Sequence, residues 1–171
     1  DVAPVDSTVQ FNETIESLLA VVFDVAYLAN DPEVTKALSA LFHLIQLKEL
    51  IGQERAWTSV GFARGHFVEK LTLRLKQVEQ EEAEIIEGFL LTASSRLKAL
   101  LQALQASSVQ QELDQMRGVR NQLYKLSKID VALADVWFHK STSYIDALRE
   151  IGIKASEHVK FVCEKQMQMY R

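Results

Sequence analysis

A single cysteine, two prolines and six glycines in 171 residues remove most of the devices that interrupt a helix or staple a small fold. The lone Cys163 cannot form an internal disulfide, so the chain carries no mark of an oxidising compartment. Metal-ligand spacing is missing too. His43, His66, His139 and His158 follow Ala40, Ala63, Val136 and Ala155 at three residues' distance, so the Glu-x-x-His pattern of di-iron bundles does not occur, and neither does H-E-x-x-H or a cysteine pair. No glycine-rich phosphate loop and no nucleophile elbow are present. The expectation is therefore a non-enzyme with no metal and no cofactor. A net charge of −4 argues against direct nucleic-acid binding by this segment. The longest apolar run, Leu18 to Val25, is broken by Asp24 and is too short to span a bilayer. The chain starts at Asp1 rather than Met, as expected of a piece excised from a longer protein.

What is abundant points one way. Hydrophobic residues make up 48% of the chain, enough for a sizeable core, and Leu, Ala, Gln, Glu and Lys dominate, all good helix formers. The pattern predicts an all-α, up-and-down bundle of about five or six helices, with long second and last members. Asp6 or Ser7 caps a first helix over about 8–29. Asn30-Asp31-Pro32 ends it, and Asp31 with Pro32 opens a second that runs to about Arg64. Gly65 is the stop. A third helix over 67–92 carries the acidic run Glu79, Glu81, Glu82, Glu84 and Glu87, read as a solvated face. Ser94-Ser95 and Ser107-Ser108 punctuate a short helix over 97–104 and another over 109–126. The last starts near Asp135 and continues towards Arg171. On it Ile145, Leu148, Gly152, Ala155, Val159, Val162, Gln166 and Met169 alternate spacings of three and four. That seam is either bundle core or a surface for a downstream module or a second protomer.

The stretch K-E-L-I-G-Q-E-R-A-W, Lys48 to Trp57, sits oddly in a helix interior, where glycine costs about 1 kcal/mol relative to alanine and a buried guanidinium needs a partner. Lys48, Gly52, Arg55 and Ser59 share one stripe, with Ala56 beside it. Gly52 lets another helix approach closely or leaves a small cavity, into which Arg55 projects a planar fork of donors matched to planar oxyanions. A small anion satisfies that fork. So does an internal salt bridge to Glu49, Glu54 or a carboxylate from another helix. Trp57 and Trp137 read as core.

The segment from Leu44 to Phe67 resembles the second-half motif of the nitrate- and nitrite-sensing domains of bacterial signalling and antitermination proteins. Their K-E-x-x-G-x-E-R-A core is matched by Lys48, Glu49, Gly52, Glu54, Arg55 and Ala56, and their G-F-x-x-G-x-F segment by Gly61, Phe62, Gly65 and Phe67. Met116 to Arg120 looks like the family's later arginine segment. Trp137, Phe138, Thr142, Ile145, Asp146 and Leu148 look like its W-F-x-x-x-T-x-x-I-D-x-L segment. The first-half Q-x-E-R-G motif is not found, so the resemblance is mainly to the carboxyl-terminal half.

That resemblance implies a helical domain over 8–151, with 152–171 continuing the last helix towards an output module outside the chain. It implies nitrate or nitrite as the ligand, held by arginines from separate helices: Arg55 first, then Arg117, with Arg120 third, and Gly52, Ala56 and Ser59 packing nearby. Two guanidiniums facing each other repel until the anion enters, which gives the ligand a differential affinity for one arrangement of their helices. A homodimer is an open option. The implied location is cytoplasmic, with an extracytoplasmic sensor domain of a membrane receptor as the alternative. The competing reading is a structural interaction module with no small ligand and Arg55 in a salt bridge.

Overall fold

The computed structural model describes residues 12–18 and 30–169, and every element among them is helical. Residues 12–18 form a helical segment; the rest of the expected first helix lies outside the described residues. Five further helices follow in chain order: α1 (Pro32–Arg64), α2 (Glu69–Thr92), α3 (Ser95–Gln105), α4 (Ser108–Leu123) and α5 (Leu133–Met169). The expected all-α bundle is what the chain forms.

Its boundaries follow from local chemistry. Asp31 Oδ1 accepts from the Glu33 and Val34 amides at 2.9 and 3.1 Å, with Pro32 in the first turn, so two otherwise unpaired donors are satisfied where the chain enters α1. At the other end Gly65 adopts a left-handed φ of 77°, a conformation that side chains resist. There the Gly65 and His66 amides donate to the Phe62 and Gly61 carbonyls. The chain then turns back, and the Phe67 ring meets Phe62 and Tyr124 edge-on at 5.4 and 5.3 Å. This use of Phe67 explains why α2 begins at Glu69 rather than at the expected position 67. Both serine pairs are caps: Ser94 Oγ accepts from the Leu97 amide and Ser107 Oγ from that of Gln110. Helix α4 ends at Leu123, three residues short of expectation, and the Ile129 amide donates to the Gly65 carbonyl at 2.8 Å.

Helix α1 is the spine. It lies antiparallel along α5 and packs on α2 with its other side, while α5 also carries α3 and α4. The direction is plain from the pairings: Glu33 at the start of α1 accepts from Gln166 near the end of α5, and Arg55 meets Thr142 two dozen residues earlier on α5. Leu44, Leu47, Ile51, Phe62, Leu75, Phe89, Leu101, Leu113, Trp137, Tyr144 and Leu148 are sealed in the core, each large apolar side chain contributing about 1.5–3 kcal/mol by burial. The α5 seam from Ile145 to Gln166 is buried, and Met169 alone stands 71% exposed. Within this chain the seam is bundle core, and the helix runs unbroken past residue 151 with its buried face intact.

Helices α2 and α4 are held differently. Neither packs extensively on the other; side chains bridge the seam between them, chiefly Arg117 and Arg120 of α4 reaching Glu82 and Glu79 of α2.

Candidate functional site

Two charged assemblies meet on α1, and adjacent residues, Glu54 and Arg55, separate them. Consecutive side chains on a helix point about 100° apart. Glu54 consequently enters the bundle interior and is fully buried, whereas Arg55 lies half-buried where α1 meets α5.

Around Glu54 the interior is ionic. Arg117 donates to its two carboxylate oxygens from Nε at 2.9 Å and Nη2 at 2.7 Å, and Arg120 Nη1 donates at 2.8 Å. Arg117 also holds Glu82, with Nη2 at 2.5 Å and Nη1 at 3.4 Å. Arg120 reaches Thr58 Oγ1 at 3.2 Å and Glu79 at 3.5 Å, and its guanidinium stands 5.6 Å from the centre of the Trp137 ring. Burial opposes the ionisation of Glu54, but the charges and hydrogen bonds of Arg117 and Arg120 outweigh it and hold its carboxyl below the usual range. Glu82 goes the other way. Its burial, helped by the negative charges of Glu54 and Asp114, outweighs the pull of Arg117, so its pKa is raised. Burial would lower the pKa of Arg117, yet Glu54 and Glu82 raise it above its ordinary value. The Tyr124 and Tyr144 hydroxyls and Arg120 Nη2 are buried without a hydrogen-bond partner.

Arg55 has a different environment. Its Nη1 donates to Thr142 Oγ1 at 2.9 Å, and its guanidinium lies 4.7 Å from the centre of the Phe138 ring. No carboxylate forms an ion pair with it among the described residues. Trp137 Nε1 donates to the Arg55 backbone carbonyl at 3.0 Å, and Ser59 Oγ donates to the same carbonyl at 2.7 Å. The arginine motif of α1 and the tryptophan motif of α5, 82 residues apart at that bond, thus dock on each other. Two turns back along α1, Lys48 has its pKa lowered by burial and by the neighbouring charge of Arg149, against the opposing influence of Glu49 and Asp146. Arg149 itself pairs with Asp146 at 3.3 Å.

The expected site residues therefore separate. Arg117 and Arg120 converge on carboxylates, and the salt bridge considered for Arg55 through Glu54 belongs to them instead. Gly52 is not a close helix contact: a Cβ placed there meets nothing within 4 Å, so the close approach considered for Gly52 is not found and the position faces open space. Ala56 points outward, exposed. The acidic run of α2 is not a uniformly solvated face, because Glu82 is buried at a core position in step with Leu75, Val78 and Phe89. That register was the one sign in the sequence that could have set Glu82 apart. Glu54 carried the same sign, in step with Leu47, Ile51 and Phe62, whereas Thr142 was visible only as a motif position.

No group of three or more His, Cys, Asp or Glu suited to a metal ion occurs among the described residues, and no described helix is long and apolar enough to cross a membrane. The fold and its two assemblies define a helical bundle with an ion-paired interior and a partly open arginine between its two longest helices. Residues 1–160 match the family described as nitrate and nitrite sensing, and the chain belongs to that family. Over 152 residues it is 30% identical to a nitrate regulatory protein of Klebsiella oxytoca, a stretch covering 88% of this chain and 37% of the relative. The chain thus spans little more than a third of that relative's length. No solved structure matches it.

Proposed function

We propose that this chain is a nitrate- and nitrite-binding sensory bundle of a longer regulatory protein, and that the anion contacts Arg55 where α1 meets α5. One observation carries the choice of arginine. Arg55 meets a hydroxyl and an aromatic ring, with open space beside Gly52, whereas Arg117 and Arg120 are already neutralised by Glu54 and Glu82. An anion reaching those two must displace a buried carboxylate; at Arg55 it displaces none. Nitrate is planar with one charge spread over three oxygens, and a guanidinium fork meets two of them in parallel while the Thr142 hydroxyl can turn to donate to the third. Lys48 and Arg149 add positive charge further along the same helix contact, opposed by Asp146.

Because this contact joins α1 to the helix that ends the described chain, an anion that favours one spacing of α1 and α5 shifts the position of the α5 end. That end would feed a signalling or antitermination module outside these residues, with or without a second protomer.

Calorimetric titration with nitrate, nitrite and chloride tests the reading. Arg55→Lys keeps the charge and loses the fork, so nitrate binding is expected to fall at least tenfold with the thermal unfolding temperature unchanged. Nitrate stabilisation that persists undiminished in Arg55→Ala would remove Arg55 from the site. The competing reading, a bundle with no small ligand, draws on the ion-paired interior; it gains if neither nitrate nor nitrite produces heat beyond that of chloride.

A further inference from the structure

Three neighbouring residues of α5 take hold of Arg55, each at a different point. Trp137 Nε1 donates to its backbone carbonyl at 3.0 Å, the guanidinium carbon lies over the Phe138 ring at 4.7 Å from its centre, and Thr142 Oγ1 accepts from Nη1 at 2.9 Å. Phe138 and Thr142 are four residues apart, so they stand on one face of α5. Each contact removes a different freedom. The Trp137 bond fixes where the side chain starts, the ring limits the tilt of the planar guanidinium lying on it, and the hydroxyl limits its rotation within that plane. Phe138 is nevertheless 46% exposed, whereas Trp137 beside it is wholly buried. Core packing therefore rests on Trp137, and the contact of Phe138 with Arg55 is its distinctive one.

We infer that Phe138 is a positioning residue of the anion site: it holds the plane of the Arg55 fork before the ligand arrives, and so favours anions that take two parallel hydrogen bonds over single-atom anions such as chloride. This inference rests on the placement of the anion at Arg55 proposed above. A carboxylate in the place of Phe138 would hold the fork as firmly but would neutralise it. The ring holds the fork and leaves its charge in place, and Thr142 is the one hydrogen-bond partner of the guanidinium among the described residues, so the other in-plane donors are open to a ligand. Nitrate or nitrite meets the fork through two oxygens, and both hydrogen bonds are good only when the guanidinium lies in the plane of the anion. Chloride is a sphere and has no plane to match. Loosening the fork thus costs a two-point ligand more than a one-point ligand, because the side chain must be ordered as the ligand binds.

Two measurements on the whole chain test this. The first needs no ligand: the NMR order parameter of the Arg55 Nε–H, assigned by its loss in Arg55→Lys, is expected to fall by at least a quarter in Phe138→Leu and to stay near the wild-type value in Phe138→Tyr, which keeps the ring. The second is calorimetric titration with nitrate and nitrite, with chloride read by competition. Phe138→Leu should weaken nitrate at least fivefold and chloride at most twofold, Phe138→Tyr should restore the wild-type ratio, and the melting temperature should not move. An unchanged order parameter in Phe138→Leu overturns the inference, as does equal weakening of nitrate and chloride, the mark of a merely structural role. Nitrate binding that is lost in Arg55→Lys but kept in Phe138→Leu overturns this inference alone. Nitrate binding that is absent from the wild type, or that survives Arg55→Lys, overturns the placement of the anion and this inference with it.

Discussion

Glu54→Gln removes one charge at the meeting point of two arginines, and the consequence can be worked from the contacts. Glu54 accepts three charge-assisted hydrogen bonds, at 2.7, 2.8 and 2.9 Å, and its side chain and that of Arg120 are completely buried, with Arg117 9% exposed. Glutamine keeps the shape but offers one acceptor oxygen, and its amide group turns two donors towards guanidiniums that are themselves donors. Arg117 retains Glu82; Arg120 retains Thr58 and a distant Glu79. Leaving a buried charge without its partner costs about 3–5 kcal/mol. For a chain of this length each kcal/mol moves the melting temperature by about 2–4 °C, so a fall of about 6–20 °C is expected. Thermal unfolding followed by helical circular dichroism at pH 7.5 measures the fall, and urea unfolding the free energy. Glu81→Gln is the control. Its partner Arg74 lies at 2.7 Å, but both side chains are about a third or more exposed, so the loss should stay within about 1 kcal/mol. The pH dependence has a definite sign. The folded pKa of Glu54 is depressed, so its contribution is present above the unfolded value, about 4.3, and disappears as pH falls through the folded one. The gap between wild type and Glu54→Gln should therefore be widest near neutrality and close in acid. A loss under about 1 kcal/mol at pH 7.5 would refute the view that this carboxylate holds the interior together.

Two further outcomes follow from neighbouring positions. Glu82 has a raised folded pKa, so its contribution is full below about pH 4.3 and is lost as pH rises through the folded value; the cost of Glu82→Gln, followed by urea unfolding over a pH series, should shrink as pH rises, and a cost that grows with pH contradicts this. Gly52→Leu meets open space and replaces a poor helix former with a good one, so stability should hold or rise by up to about 1 kcal/mol. If the anion sits beside Arg55, the same variant should lose nitrate binding in calorimetry; retained binding places the anion elsewhere.

Much of the fold is determined locally and so can be read along the chain. Asp31-Pro32, Gly65, Ser94 and Ser107 act through their own hydrogen bonds and backbone angles within a few residues, and the spacing of apolar residues is enough to mark which face of each helix is buried. The family motifs are legible for the same reason, since a motif is a pattern of near neighbours. The partners of the charged residues are not. The apolar register of Leu47, Ile51 and Phe62 turns Glu54 inward, but what Glu54 and Arg55 meet lies on helices 63 and 87 residues later, and an amphipathic pattern within one helix does not specify it. The same holds for Glu82, one of five glutamates within nine positions, whose partner Arg117 comes from α4. Composition and periodicity determined a helical bundle with an arginine at its middle. Only the tertiary structure decided that Arg117 and Arg120 are neutralised by carboxylates while Arg55 meets a hydroxyl and an aromatic ring, because burial and ion pairing are properties of helices brought together and not of any one of them.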